Sequence, residues 1–207
     1  MEKDREMARG ADRGILVTQI MDCDGAGNLP VRHSSASRDC PCKTTGRDEN
    51  KMIRILFICH GNICRSPMAE FVMKDLVKKM GLEPRFQIAS AATSTEEIGN
   101  PVYPPARRKL AEHGISCGGK TARQLTREDY AAYDLLIGMD QANIRNIRRI
   151  CGGDPKGKIH LLREYASRPG QEVADPWYTG DFEATWRDVL AGCQGLLRRM
   201  AGAEREA

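Results

Sequence analysis

Aromatic residues are few in this chain of 207 residues, at 5% of the total, and none of its apolar runs approaches the roughly 18 residues of a membrane helix. The first ten residues (MEKDREMARG) lack the apolar core of a secretory signal peptide. Without such a signal, the eight cysteines favour reduced thiols in the cytoplasm over a disulfide framework. The remaining composition, 41% hydrophobic and 29% charged, is that of a globular protein. These features argue against a secreted miniprotein, a membrane protein and a fibre.

The net charge of +4 is distributed unevenly. Residues 1–51 contain nine basic and nine acidic residues, so the whole surplus lies in residues 52–207. A surplus of four suits a small anionic ligand, but nucleic-acid binding requires a concentrated basic stripe. We therefore expect neither a nucleic-acid partner nor a membrane partner.

Residues 1–51 differ from the rest of the chain in composition. They are rich in Gly, Asp, Arg and Ser and contain no Phe, Tyr or Trp, so they can bury little apolar surface and are predicted to be a mostly disordered N-terminal extension. Only residues 14–21 (GILVTQIM) could form a short strand. Cys40 and Cys42 could bind a metal, but nothing nearby completes a four-ligand set, so we interpret them as incidental.

Residues 52–207 alternate between apolar runs and amphipathic segments, which predicts one α/β domain with a parallel sheet and helices on both faces. Ser66 is expected to cap the first helix, and Gly81 to end it. The segment between residues 162 and 181 has no clear periodicity, and long loops of this kind are usually functional. The predicted strands cover 53–59, 86–92, 134–139 and 158–162, and the predicted helices cover 66–80, 105–112, 141–150 and 181–200.

The junction of the first strand and first helix reads CHGNICRS over residues 59–66. Gly61 and Asn62 tolerate the positive φ angles that turn successive backbone N–H groups inwards. The helix N-terminus and the planar Arg65 side chain would add positive potential for an anion. The same potential would favour the thiolate form of Cys59, which is the nucleophilic form. This junction therefore predicts an anion site that contains a nucleophile.

Two other C-x5-R matches, at Cys117 and Cys193, lack this context. The first follows a helix and its glycine terminator, and the second lies inside a predicted helix whose N–H groups are already used. Residues 114–121 (GISCGGKT) fit the nucleotide P-loop pattern but follow a helix, whereas that motif requires a preceding strand.

Residues 52–200 resemble the low-molecular-weight protein tyrosine phosphatases. The resemblance rests on CHGNICRSPMAE at 59–70, SAATS at 90–94, HGI and ARQ within 113–124, and DPWYTGDFE at 175–183. It implies a flavodoxin-like fold with a four-stranded parallel sheet, and hydrolysis of phosphotyrosine or small aryl phosphates through a phosphocysteine. It also implies no cofactor, no metal, and a monomer or weak homodimer.

The resemblance assigns roles around the loop. Cys59 would attack phosphorus, while Arg65 and the backbone of residues 60–65 (His60, Gly61, Asn62, Ile63 and Cys64) would hold the phosphoryl oxygens. Ser66 would hydrogen-bond the nucleophile, Asn62 would fix the left-handed turn, and Ser90 would support Asn62. A reversible Cys59–Cys64 disulfide would protect the nucleophile from over-oxidation.

The loop after the fourth strand supplies the expected proton donor. A parallel sheet places that loop at the same edge as Cys59, so Asp175 is the candidate general acid and base. Trp177 and Tyr178 would form the wall of a cleft for a flat ring. Two positions depart from the family pattern: Lys120 stands where a bracing histidine is frequent, and Glu96 where animal members often have an aromatic residue.

Other functions share this fold. Arginine phosphatases resemble the chain but carry Thr at the position of Ile63, whose methyl group cannot orient a water. Thioredoxin-coupled arsenate reductases need two further cysteines close together, whereas Cys117, Cys151 and Cys193 are far apart in sequence. A non-catalytic phosphate-binding module would be expected to lack Cys59 or Asp175.

Overall fold

The computed structural model describes residues 52–166 and 171–202. Their four strands form one parallel sheet in the order β2-β1-β3-β4. The predicted α/β class and four-stranded parallel sheet are confirmed. The strands are β1 (Ile53–Cys59), β2 (Phe86–Ala92), β3 (Leu135–Gly138) and β4 (Ile159–Leu161).

Six α-helices connect or follow these strands within the described residues. The segment predicted to be an unstructured loop contains a short 3-10 helix (Leu162–Tyr165) and the four-residue α5, and another 3-10 helix (Glu83–Arg85) precedes β2. Short helices of this kind have no room for an amphipathic repeat, so periodicity does not detect them. The helices are α1 (Arg65–Lys79), α2 (Pro104–Glu112), α3 (Asp129–Ala132), α4 (Gln141–Cys151), α5 (Pro176–Thr179) and α6 (Phe182–Gly202).

Strand β1 is buried on both faces from Ile55 to Cys59, which is why these five residues are all apolar. Ile55 and Phe57 belong to a core cluster with residues of α1 and α6, whereas Leu56 and Ile58 belong to a second cluster with residues of α4. All four β1 side chains are inaccessible to solvent, and each such burial stabilises the fold by roughly 1.5–3 kcal/mol. The core therefore fixes the strand whose last residue is Cys59.

The start of α1 differs from the prediction. The helix begins at Arg65 with Cys64 as its N-cap, and no side chain caps it, so the prediction that Ser66 is the cap was wrong. The Ser66 hydroxyl contacts the Cys59 sulfur and the Asn62 amide instead. At the other end, Gly81 has a φ of 68° immediately after the C-cap Met80, as the helix-ending prediction requires.

Several predictions concern residues outside the described part of the chain. The disorder of residues 1–51, the strand over 14–21 and the incidental nature of Cys40 and Cys42 all remain predictions. Within the described ranges, no helix is both long enough and apolar enough to cross a membrane.

Candidate active site

The loop of residues 59–66 joins the carboxyl end of β1 to the start of α1. Cys59 is buried, and its sulfur accepts the Asn62 backbone N–H at 3.3 Å and lies 3.1 Å from the Ser66 hydroxyl oxygen. Asn62 has a φ of 58° and is the one non-glycine residue of the described ranges with a left-handed backbone, which asparagine tolerates better than most residues. This turn directs a backbone N–H towards the sulfur.

The side chain of Asn62 determines which groups donate and which accept in the hydrogen bonds beneath the loop. Its Oδ1 accepts the backbone N–H of Arg123 at 3.2 Å, so its Nδ2 donates to the hydroxyls of Ser66 at 2.9 Å and Ser90 at 2.8 Å. Because the Ser66 oxygen accepts from Asn62, its own proton is free to donate. The Cys59 sulfur at 3.1 Å is nearer to it than the other acceptor, the Ala91 carbonyl at 3.5 Å. The network therefore presents a second donor, a hydroxyl, to a thiolate at Cys59.

Arg65 is buried between two carboxylates. Its Nη1 donates to Asp140 Oδ2 at 2.7 Å, and its Nη2 lies 2.5 Å from Asp175 Oδ2. Burial by itself lowers the pKa of Arg65, but Cys59, Asp175 and Asp140 outweigh that effect and raise the pKa above its usual value. Sequence reasoning missed Asp140, although its place two residues after β3, the neighbour of β1, is where a ligand-facing residue is expected.

Asp175 belongs to the same cavity as Cys59. It caps α5 by accepting the Trp177 backbone N–H at 3.1 Å, and it lines a cavity of about 230 Å³ with Cys59, Arg65, Trp177 and Tyr178. The side chains of Trp177 and Tyr178 are exposed at the mouth of this cavity, at 62% and 85%. The cavity therefore combines a thiol, a guanidinium, a carboxylate and a flat apolar wall.

The sequence that forms this site matches a known protein family. A sequence model of the family described as low molecular weight phosphotyrosine protein phosphatase matches residues 54–206. The chain belongs to this family. It is accordingly an enzyme of the hydrolase class, a phosphatase.

Individual relatives resemble this phosphatase over nearly their whole length. The low molecular weight protein-tyrosine-phosphatase YfkJ of Bacillus subtilis is 40% identical over 147 residues, which cover 70% of this chain and 94% of that relative. The rat low molecular weight phosphotyrosine protein phosphatase is 39% identical over 149 residues, with the same coverage. The crystal structure of YfkJ matches with a TM-score of 0.72 and 38% identity, over 75% of this chain and 98% of the other.

An arginine phosphatase is also among the structural relatives. The crystal structure of DARP, a Drosophila arginine phosphatase, matches with a TM-score of 0.65 and 26% identity, over 72% of this chain and 98% of the other. The fold is therefore shared by phosphatases named for different substrates, and the choice between them depends on the lining of the cavity.

The rim of the phosphatase cavity contains the remaining predicted loop residues. His60 is exposed, and its Nε2 lies 3.1 Å from Glu96 Oε2. Gly61 lies so close to Glu97 that a Cβ at this glycine would be 3.1 Å from the Glu97 Cγ. Ile63 is buried and also lines the cavity. The predicted site residues outside this lining, namely Asn62, Ser66 and Ser90, form the network beneath the sulfur.

A buried charge cluster continues this network away from the cavity. The Ser90 hydroxyl donates to Glu70 Oε2 at 2.5 Å, and Glu70 also accepts from Lys74 at 2.5 Å. Lys120 lies 3.5 Å from Glu70 and donates to the Ser90 carbonyl at 3.2 Å. Burial lowers the pKa of Lys120 although Glu70 acts in the opposite direction. Lys120 thus contacts the loop support directly, and Glu70 is a member that sequence reasoning missed.

Cys64 lies in the same cavity as Cys59 but in a different electrostatic environment. Burial, followed by the charges of Cys59 and Asp175, raises its pKa to about 12. At neutral pH, Cys64 is therefore a protonated thiol and a poor nucleophile.

The other candidate ligands and nucleophiles lie away from this cavity. Cys117 belongs to the core on one face of the sheet and Cys151 to the core on the other. Burial raises the pKa of both thiols, that of Cys151 to about 11. In the described residues, no three His, Cys, Asp or Glu side chains are grouped so that they could hold a metal ion.

Proposed function

We propose that this phosphatase hydrolyses phosphotyrosine in proteins, and small aryl phosphates, through a phosphocysteine at Cys59. The observation that supports this most directly is the arrangement of Cys59, Arg65 and Asp175 around one cavity. The Cys59 sulfur receives an N–H and lies beside a hydroxyl, and these contacts stabilise a thiolate more than a thiol. The exposed ring of Trp177 offers a flat surface for the substrate ring.

In the first step, the Cys59 thiolate attacks phosphorus as the ester P–O bond breaks. Arg65 and the N–H groups of residues 60–65 hold the equatorial oxygens, where the transition-state charge is spread. Asp175 gives its proton to the leaving phenolate. Arg65 holds Asp175 in the structure, so the arriving phosphoryl group has to replace this carboxylate on the guanidinium.

In the second step, the Asp175 carboxylate takes a proton from water. The water oxygen attacks phosphorus, the P–S bond breaks, and the Cys59 thiolate and inorganic phosphate are released. The proton returns Asp175 to its acidic form, so the cycle closes without a metal or cofactor. Ser66 stabilises the departing thiolate, and Asn62 and Ser90 hold Ser66 and the loop in place.

Two features of the structure favour phosphotyrosine over the alternatives. Ile63 places an apolar side chain in the cavity, where a hydroxyl would be needed to orient water for a phosphoarginine reaction. An arsenate reductase relay would require Cys117 and Cys151 to exchange disulfides with Cys59 and with each other, but Cys151 is buried in a different core from Cys59 and Cys117. Arginine phosphatase is the second candidate function, because a structural relative carries that name.

The decisive experiment combines one variant with two substrates. Cys59→Ser should lower turnover of a phosphotyrosine peptide by more than about 1,000-fold while sulfate still binds, because the anion site remains intact. Wild-type enzyme should hydrolyse the phosphotyrosine peptide much faster than the matching phosphoarginine peptide. Substantial activity in Cys59→Ser would refute the nucleophile assignment, and the reverse substrate preference would establish the arginine phosphatase.

A further inference from the structure

Two cavities open at the carboxyl edge of the sheet. The first, of about 230 Å³, contains Cys59, and the second, of about 490 Å³, lies between the start of α4 and residues 172–175. Both are lined by Arg65, Asp175 and Tyr178. A substrate held at Cys59 therefore lies directly beside the second cavity, and the residues next to its phosphorylated side chain lie within reach of both rims.

The topology places the rim of the first cavity that contains Glu96 and Glu97, and the rim of the second cavity that contains Arg145, on opposite sides of Cys59. Strand β1, which ends in Cys59, lies between β2 and β3 in the sheet. Glu96 and Glu97 belong to the segment that follows β2, whereas Arg145 belongs to α4, which follows β3. When a peptide crosses the mouth of the first cavity, the residues on one side of its phosphotyrosine therefore lie near the β2 side, and the residues on the other lie near the β3 side.

The β2 side of the mouth is negative. The Glu96 side chain is 70% exposed, and its partner His60 carries a compensating charge only when its ring is protonated. Glu97 accepts from the neutral amide of Asn100 at 2.7 Å. Both carboxylates line the first cavity, so both are available to a cationic group.

The β3 side has an available cation. Arg145 is exposed and lines the second cavity, and its guanidinium has no ion pair or hydrogen bond with another residue of the described ranges. Three carboxylates line the same cavity: Arg65 holds Asp140 and Asp175, and Glu172, which accepts a backbone N–H at the start of α4 at 2.8 Å, keeps its charge but forms no ion pair with Arg145. The guanidinium of Arg145 is therefore the group most open to an anionic side chain.

We propose that Arg145 on one side, and Glu96 with Glu97 on the other, select phosphoprotein segments whose charge changes sign across the phosphotyrosine. Basic residues on one flank contact the two glutamates, and acidic residues on the other flank contact Arg145. This inference rests on the proposed phosphotyrosine function and narrows its substrate class.

Two isomeric peptides test the proposal. One carries two Lys before and two Glu after the phosphotyrosine, and the other has the reverse order, so composition and net charge are identical and long-range attraction cancels. Exposed ion pairs are weak, but several act together, so kcat/KM should differ by roughly fivefold at low salt. The ratio should fall towards one at high salt, because these contacts are screened. The faster isomer shows the direction in which the peptide lies.

Variants assign the effect to the named residues. Arg145→Gln and the double variant Glu96→Gln/Glu97→Gln should each lower the ratio of kcat/KM between the two peptides, because the first removes the positive charge on the β3 side and the second removes the negative charges on the β2 side. The control is Glu83→Gln, which removes an exposed charge at the opposite edge of the sheet, next to the start of β2, and should leave the ratio unchanged.

Three outcomes would overturn the proposal: equal kcat/KM for the isomers, a ratio that does not respond to salt, or a ratio that persists in both variants. Each of these leaves the proposed function intact, because both peptides are still hydrolysed. If neither peptide is hydrolysed while the phosphoarginine peptide is turned over, the proposed function is refuted, and this inference is refuted with it.

Discussion

The ion pair between Arg65 and Asp175 predicts that the general acid competes with the substrate. The two side chains are 5% and 26% exposed, and their closest atoms are 2.5 Å apart. A hydrogen bond to a charged group contributes about 1.5–3 kcal/mol, which corresponds to a factor of roughly 10 to 100 in an equilibrium constant. Asp175→Asn removes the carboxylate charge, so it should bind sulfate about 10- to 100-fold more tightly while it loses activity on aryl phosphates.

Sulfate titration followed by Trp177 fluorescence or calorimetry measures this change directly. Asp181→Asn is the matched control, because it removes the same charge nearby. Asp181 caps α6 through the Ala184 N–H at 2.8 Å, and asparagine caps a helix equally well. The control should change sulfate affinity less than about twofold by long-range charge alone. Equal affinities in wild type and Asp175→Asn would refute the competition.

The buried cluster and the second cysteine of the cavity give two further predictions. Lys120→Met leaves Lys74 as the one cation beside Glu70 in the described residues and removes the hydrogen bond to the Ser90 carbonyl. The free energy of unfolding in urea should therefore fall by about 1–3 kcal/mol, and iodoacetate labelling of Cys59 should slow because Ser90 supports the loop, whereas Lys120→Arg should lose less. A Met variant as stable and as reactive as wild type would contradict this. After peroxide converts Cys59 to the sulfenic acid, Cys64 should displace hydroxide to form the disulfide, faster at higher pH because its pKa is about 12. In Cys64→Ser no disulfide can form, so further peroxide should oxidise the Cys59 sulfenic acid to the sulfinic acid, which dithiothreitol does not reduce. Dithiothreitol should then restore wild type and the control Cys117→Ser but not Cys64→Ser, and equal recovery in all three would exclude the disulfide.

The order of the secondary structure elements was predictable because its signals are local. The apolar run of β1, the glycine after α1 and the alternation of strands and helices all act over a few residues. Errors occurred where a side chain hydrogen-bonds a group other than the one its position suggests, and where an element is too short to show a periodicity. Serine is a residue type that often caps helices, but the Ser66 hydroxyl contacts the Cys59 sulfur and accepts a hydrogen bond from the Asn62 side chain. The short α5 was missed because four residues carry no periodicity.

The sequence by itself predicted an anion site with a nucleophile, since Cys59, Asn62 and Arg65 lie within seven residues between a buried strand and a helix. Only the tertiary structure decided which groups surround that loop. Asp140 reaches Arg65 from the segment between β3 and α4, and Asp175 reaches it from the N-cap of α5. Glu70 and Lys120 meet at Ser90 from α1 and from a distant loop. Such pairings depend on how helices pack against both faces of the sheet, and no pattern within a short window of sequence specifies a distance between residues so far apart in the chain.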